Sequence, residues 1–161
     1  MGIRYAEKLQ VTPLLAPAAS TTAKETAFVK LENMQWLSWL VFWGDMTSDS
    51  TDVMVITVKS ATDQSTAATD TTQTFSYRLA SAVGSDSWGA ITSAATLSLG
   101  ATDDNKMLII DIDPAVIAAA DTDAAYAYID IDGTALVTNY ALGVIGVNEP
   151  RYPQNANLSS T

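Results

Sequence analysis

Four aspartates are spaced for joint work. Asp111 and Asp113 stand two residues apart in KMLIIDIDPAVI, and Asp130 and Asp132 repeat the spacing in YAYIDIDG. In a strand, such pairs share a face. If their two strands were neighbours, four carboxylates would meet, and a hard cation such as calcium would find oxygen ligands. Two carboxylates can also hydrolyse a glycosidic bond without histidine. Neither chemistry is marked any further. DIDG at Asp130–Gly133 opens like an EF-hand loop, but the twelfth position is Ala141 rather than Glu, and no flanking helices are predicted. The plainer reading makes Asp113 a helix cap and Asp132-Gly133 a tight turn.

Composition removes most other catalytic options. The 161 residues include no histidine and no cysteine. That excludes Ser-His-Asp and Cys-His mechanisms, thiol nucleophiles, disulfides and zinc fingers. No glycine-rich phosphate loop occurs; the 8 glycines are scattered. The expectation is a protein that is not an enzyme, with no catalytic residue, no metal and no cofactor. Trp36, Trp39, Trp43 and Trp88 could stack on sugars, but three of them fall in the apolar run WLSWLVFW, which favours packing. The sequon Asn157-Leu158-Ser159 matters only on a eukaryotic secretory route.

Charge narrows the partners. Eight Lys+Arg face 18 Asp+Glu, a net charge of -10. Phosphate backbones and anionic membrane surfaces are held chiefly by Lys and Arg, so neither nucleic acid nor membrane is an expected partner. The longest apolar stretch, Trp36–Trp43, falls far short of the roughly 20 residues that a spanning helix needs. Arg4 and Lys8 before VTPLLAPAA loosely imitate a secretory signal; Glu7, Pro13 and Pro17 argue against one.

The elements that must position these residues read as strands. A chain of this length makes one domain with a core of its own. Residues 1–23 are read as an extended N-terminal arm, because Pro13, Pro17 and APAASTTA break any period. On this reading a chain starting near Ala23 stays folded but loses its partner. Residues 24–147 carry the candidate strands Glu25–Leu31, Gln35–Trp43, Asp52–Ser60, Gln73–Ala82, Ala95–Leu99, Lys106–Ile112, Ala124–Ile131 and Thr138–Val147, separated by Asp- and Gly-rich turns. Residues 148–161 are a polar tail. Asp113-Pro114 followed by AVIAAA predicts one short helical turn. The fold class is all-β: an antiparallel β-sandwich of the jelly-roll type.

Gln35–Trp43 is apolar on both faces. One carries Trp36, Ser38, Leu40 and Phe42, and the other Leu37, Trp39, Val41 and Trp43. A two-sheet sandwich buries only one face of each strand. Each aromatic offers about 150–250 Å² of surface, so the second face needs cover from the chain's own loops or from another subunit.

The order of these features resembles the small β-sandwich decoration (cement, or head auxiliary) proteins of tailed-bacteriophage capsids. The resemblance runs over most of the chain. It comprises the proline-bearing arm, FVKLENMQWLSWLVFWGDM, DVMVITVKSA, FSYRLAS, KMLIIDIDPAVI, YAYIDI and a last strand closing in EPRYPQ, with Arg151-Tyr152 near the end. It implies a structural virion protein without chemistry, located on the outer capsid surface. Its implied partner is the major capsid protein, which it would hold together as a homotrimer. The residues proposed to make contacts are Tyr5, Leu9, Leu14, Leu15, Trp36, Trp39, Trp43, Arg151 and Tyr152. The competing class is a non-catalytic carbohydrate-binding or adhesin-type β-sandwich module.

Overall fold

The computed structural model describes residues 9–20, 22–46, 53–65, 69–82, 84–132 and 140–151. Twelve strands are present among them. They are β1 (Gln10–Ser20), β2 (Lys24–Glu25), β3 (Val29–Lys30), β4 (Met34–Trp43), β5 (Val53–Ala61), β6 (Thr71–Gln73), β7 (Phe75–Leu79), β8 (Thr92–Ala94), β9 (Thr96–Gly100), β10 (Met107–Ile112), β11 (Tyr126–Asp132) and β12 (Tyr140–Pro150). One helix, α1 (Pro114–Ala120), joins β10 to β11. The larger sheet runs β1-β12-β4-β10-β7-β8 and the smaller β2-β11-β5-β6, with β3 also on β11 and β9 also on β5. All pairings are antiparallel. The protein is an all-β sandwich.

The two-residue period of strands builds the core. Leu37, Trp39, Val41 and Trp43 of β4 point inward beside Leu108, Ile110 and Ile112 of β10 and Leu142 and Val144 of β12. Met54, Ile56 and Val58 of β5 and Ala127, Ile129 and Ile131 of β11 meet them from the smaller sheet. Trp43 Nε1 donates to the Asp103 carbonyl at 2.8 Å.

The helix forms where the sequence places it. Asp113 Oδ1 accepts from the Ala115 amide at 2.8 Å, Pro114 occupies the first turn, and Ile117 anchors the turn in the core. Asp113→Ala removes that cap and is expected to lower stability by about 1 kcal/mol in urea denaturation; an unchanged midpoint would show that the cap contributes nothing.

Several expectations are corrected. Residues 10–20 are not a free arm: they form the edge strand β1, in register with β12 from Gln10↔Asn148 to Ser20↔Tyr140. An edge strand hydrogen-bonds on one side only, so Pro13 and Pro17 are tolerated. The register slips between Pro13 and Leu15 and again between Leu15 and Ala18. Leu14 is buried, and its carbonyl accepts from the Ala27 amide at 2.8 Å, tying the edge to the other sheet. The last strand also runs on to Pro150, so residues 148–150 belong to the sheet rather than to a tail.

Two predicted strands are broken, and a third begins at a change of sheet. Gln73–Ala82 divides at Thr74 and Ala95–Leu99 is preceded by a break at Ala95, because the chain changes sheets at both points. β6 and β9 lie on β5, whereas β7 and β8 pair with each other in the larger sheet. Glu25–Leu31 divides because Thr26 Oγ1, rather than a backbone carbonyl, accepts from the Ile129 amide at 2.9 Å.

Candidate functional site

The two outer faces of the sandwich differ. That of the smaller sheet is covered by its own chain at Tyr128 and is half-exposed over the rest of β5 and β11. Tyr128 points outward from β11 yet is fully buried, with the Phe28 ring 4.6 Å from its own and its hydroxyl donating to Asp70 Oδ2 at 2.9 Å. Beside it, Lys59 pairs with Asp130 at 2.7 Å. Burial, and then the hydrogen bond to Asp70, push the Tyr128 phenol well above the usual tyrosine range. The neutral form is therefore favoured by folding. Its stabilisation is complete below the unfolded value near 10 and is lost as pH rises from there through the folded value. In an alkaline titration followed by tyrosinate absorbance, Tyr128 should ionise later than a free tyrosine, and Tyr128→Phe should remove that late step. Loss of an early step instead would contradict the burial.

The outer face of the larger sheet is built in rows fixed by register. Met107, Phe42 and Gly143 form one row across β10, β4 and β12. Arg78, Ile109, Leu40, Ile145 and Pro13 form the next, across β7, β10, β4, β12 and β1. Ser76, Asp111, Ser38, Val147 and Val11 form the third, and Trp36 faces Glu149 in the fourth. A Cβ on Gly143 would stand 2.5 Å from Phe42 Cζ and 3.2 Å from Pro17 Cγ, so glycine lets the Phe42 ring lie over β12.

The rows are apolar on β12 and β4 and turn polar toward β10 and β7. Among the described residues, the exposed large apolar side chains are Val11, Trp36, Ile91, Met107 and Val116. All but Val116 sit on this face or line its groove. The groove has a volume of about 480 Å³, with Leu9, Trp36, Ser38, Leu40, Arg78, Ile91, Ile109, Asp111, Val147 and Glu149 around it. Ser38 Oγ donates to Asp111 Oδ1 at 2.5 Å, and Trp36 Nε1 donates to the same oxygen at 3.4 Å. The indole is thus tethered by its edge while 40% of the residue stays exposed.

Such a surface offers shape, an aromatic face and a few charges.

No family model, curated protein or solved structure matches the chain.

The structure sorts the predicted contact residues. Trp36 and Leu9 line the groove. Trp39, Trp43 and Leu14 do not belong to an exposed site: all three are buried in the core, because the inward face of β4 is the one that carries Trp39 and because β1 is a strand. Leu15 is partly buried and packs against the same core. Arg151 is held at the sheet end, its amide donating to the Asn33 carbonyl at 2.7 Å and its Nε to the Met34 carbonyl at 3.1 Å. Tyr5 and Tyr152 lie outside the described residues.

The four aspartates do not converge. Asp111 and Asp113 sit on and just after β10 in the larger sheet, whereas Asp130 and Asp132 sit on β11 in the smaller. Asp111 joins Trp36 and Ser38, Asp113 caps α1, and Asp130 pairs with Lys59. Among the described residues no three acidic side chains gather as a metal site would need. The turn expected at Asp132-Gly133 falls outside the described residues at Gly133.

Sequence reasoning missed Arg78, Ile91, Ile109, Val147 and Glu149 as neighbours of Trp36. A signal was present: LIIDI in β10 and VIGV in β12 are apolar at consecutive positions, as β4 is. Adjacent strands that are apolar at consecutive positions place apolar side chains on the outer face as well as in the core.

Proposed function

We propose that the protein is a structural virion protein that binds the outer surface of an assembled tailed-phage capsid and stabilises it. In this reading the outer face of the larger sheet lies against the major capsid protein, and the copies act as a homotrimer. One observation carries it: this face is apolar over β12 and β4 and gathers the exposed Val11, Trp36 and Met107, while on the opposite face the large aromatic Tyr128 is covered by Phe28 and Asp70. Burial of apolar area contributes about 25 cal/mol per Å², so a neighbour on this face gains where solvent does not. The net charge of -10 disfavours self-association away from such a partner.

The strand order supports the jelly-roll part of the reading. Without β7, β8 and β9, the sheets run β1-β12-β4-β10 and β2/β3-β11-β5-β6. That order is the one expected if two Greek keys are paired as in a jelly roll, which supports the reading.

The test is sedimentation of the full-length protein with intact virions, with the copy number per particle measured. Saturable binding at a fixed ratio is expected. Free protein that stays in the supernatant at all concentrations would reject the reading. A second reading, a carbohydrate-binding or adhesin module, is favoured by one feature: the exposed Trp36 ring beside Asp111 and Arg78 in a groove. Saturable binding of a glycan, without binding to virions, would select it.

A further inference from the structure

The groove holds one carboxylate, Asp111, that its own chain orients but does not saturate. Both donors to Asp111, Ser38 Oγ and Trp36 Nε1, use Oδ1, and Oδ2 has no hydrogen-bond partner among the described residues. The carboxylate is therefore oriented by its neighbours yet keeps one oxygen to offer. Trp36 stands beside it, 40% exposed, with its indole N–H already engaged. Leu40, Ile109 and Val147 supply an aliphatic floor. Arg78 lines the same groove and makes no ion pair among the described residues.

We infer that this groove is a socket for an arginine side chain on the surface of the partner protein. A guanidinium stacks on an indole face and donates to a carboxylate oxygen at the same time. Its methylene stem lies on aliphatic surface while the charged head reaches the carboxylate. Charge complementarity points the same way, since a chain of net charge -10 draws a basic segment toward it. Arg78 repels a second cation at its own end of the groove and so favours a partner that presents an acidic side chain near the arginine. A saccharide fits less well, because hydrogen-bonding groups occupy only part of a mostly aliphatic wall. The identity of the partner as a capsid subunit rests on the function proposed above; the arginine chemistry does not.

The test uses the full-length, nitrogen-15-labelled protein. N-acetyl-arginine amide is titrated while the Trp36 indole N–H resonance is followed. N-acetyl-citrulline amide serves as the neutral isostere and N-acetylglucosamine as the sugar probe. The arginine probe should shift the resonance saturably, and the citrulline probe should bind at least ~10-fold more weakly, having lost both the cation–π attraction and the charged hydrogen bond. Asp111→Asn, checked by the dispersion of its spectrum, should shrink the difference between the two probes to what the Trp36 ring alone supplies. Trp36→Leu, followed by the shift of the Ser38 amide, should weaken the arginine probe independently if the first variant fails to fold. Equal effects of arginine and citrulline, no effect of arginine, or saturation by the sugar alone would overturn the inference. Virion binding that survives Asp111→Asn unchanged would reject the socket and keep the capsid reading. An intact arginine site on a protein that ignores virions would do the reverse.

Discussion

Trp39→Ala is expected to cost the fold roughly 3–5 kcal/mol, as loss of a buried aromatic does, while Trp36→Ala should cost less than about 1 kcal/mol, as a surface change does. The two residues are three apart in one strand and face opposite ways. Trp39 is fully buried, with Ile110 of β10 on one side and Gly146 of β12 on the other. Its removal leaves a cavity at the centre of the larger sheet, bounded by neighbours whose backbone is fixed by ladders on both sides. Trp36 rests on the outer face and supports nothing beneath it. Urea denaturation of the two variants measures the difference, and in Trp36→Ala binding to virions should fall although the fold survives. Equal stability losses would mean that β4 is not divided into a core face and a contact face. Trp39→Phe adds a finer test. The Trp39 indole N–H is buried without a hydrogen-bond partner among the described residues. Phenylalanine removes that unsatisfied donor, so part of the lost packing is offset, and the variant should fall well short of the alanine loss.

Removing residues 1–20 should abolish cooperative folding. Composition alone suggests a dispensable arm, but β1 closes the edge of the larger sheet along nearly the whole of β12. Leu14 on its own, at 4% exposure, is worth about 2–5 kcal/mol by comparison with buried leucines cut to alanine. The strand also screens Val144 and Leu142, which its loss would bring near solvent, and it supplies the carbonyl that the Ala27 amide needs. A total of that size is comparable to the entire stability of an ordinary domain, about 5–15 kcal/mol. The shortened chain would also present β12 as a long apolar edge, prone to pair with other copies. Circular dichroism with thermal melting checks this. A soluble truncated protein with an unchanged melting temperature would return residues 10–20 to the status of an arm.

These two results bear on what a single sequence reveals. The strands β4, β5, β10 and β11 and the helix α1 were legible because each carries its own local signal: β-branched and aromatic runs for the strands, and an aspartate followed by proline for the helix. β1 was not legible. Its prolines and small residues lower strand propensity, and only its position at an edge, a fact about the whole sheet, makes them acceptable. The changes of sheet at Thr74 and Ala95 were hidden for a related reason. Phe75, Tyr77 and Leu79 alternate as a strand should, and the period of two is silent on which sheet a strand joins. The site shows the same limit. Alternation announced that β4 has two apolar faces but could not say which is inward, since tryptophan stands on both. That choice is made by long-range register, which sets Trp39 over Gly146 inside and brings Asp111, Arg78 and Val147 around Trp36 outside.

The central claim is that the open face of the larger sheet is the surface covered in the assembled particle. Hydroxyl-radical oxidation of the free and the virion-bound protein, read residue by residue by mass spectrometry, tests it most directly. Trp36 at 40% exposure and Met107 at 37% are oxidisable side chains of that face, whereas Trp39 and Met54 are buried and Val116, at 55%, lies away from it. In the free protein Trp36 and Met107 should oxidise readily and Trp39 and Met54 slowly. On the virion, Trp36 and Met107 should become protected while Val116 keeps its free rate. Oxidation of Trp36 and Met107 at the same rate in both states, with the protein bound, would contradict the account.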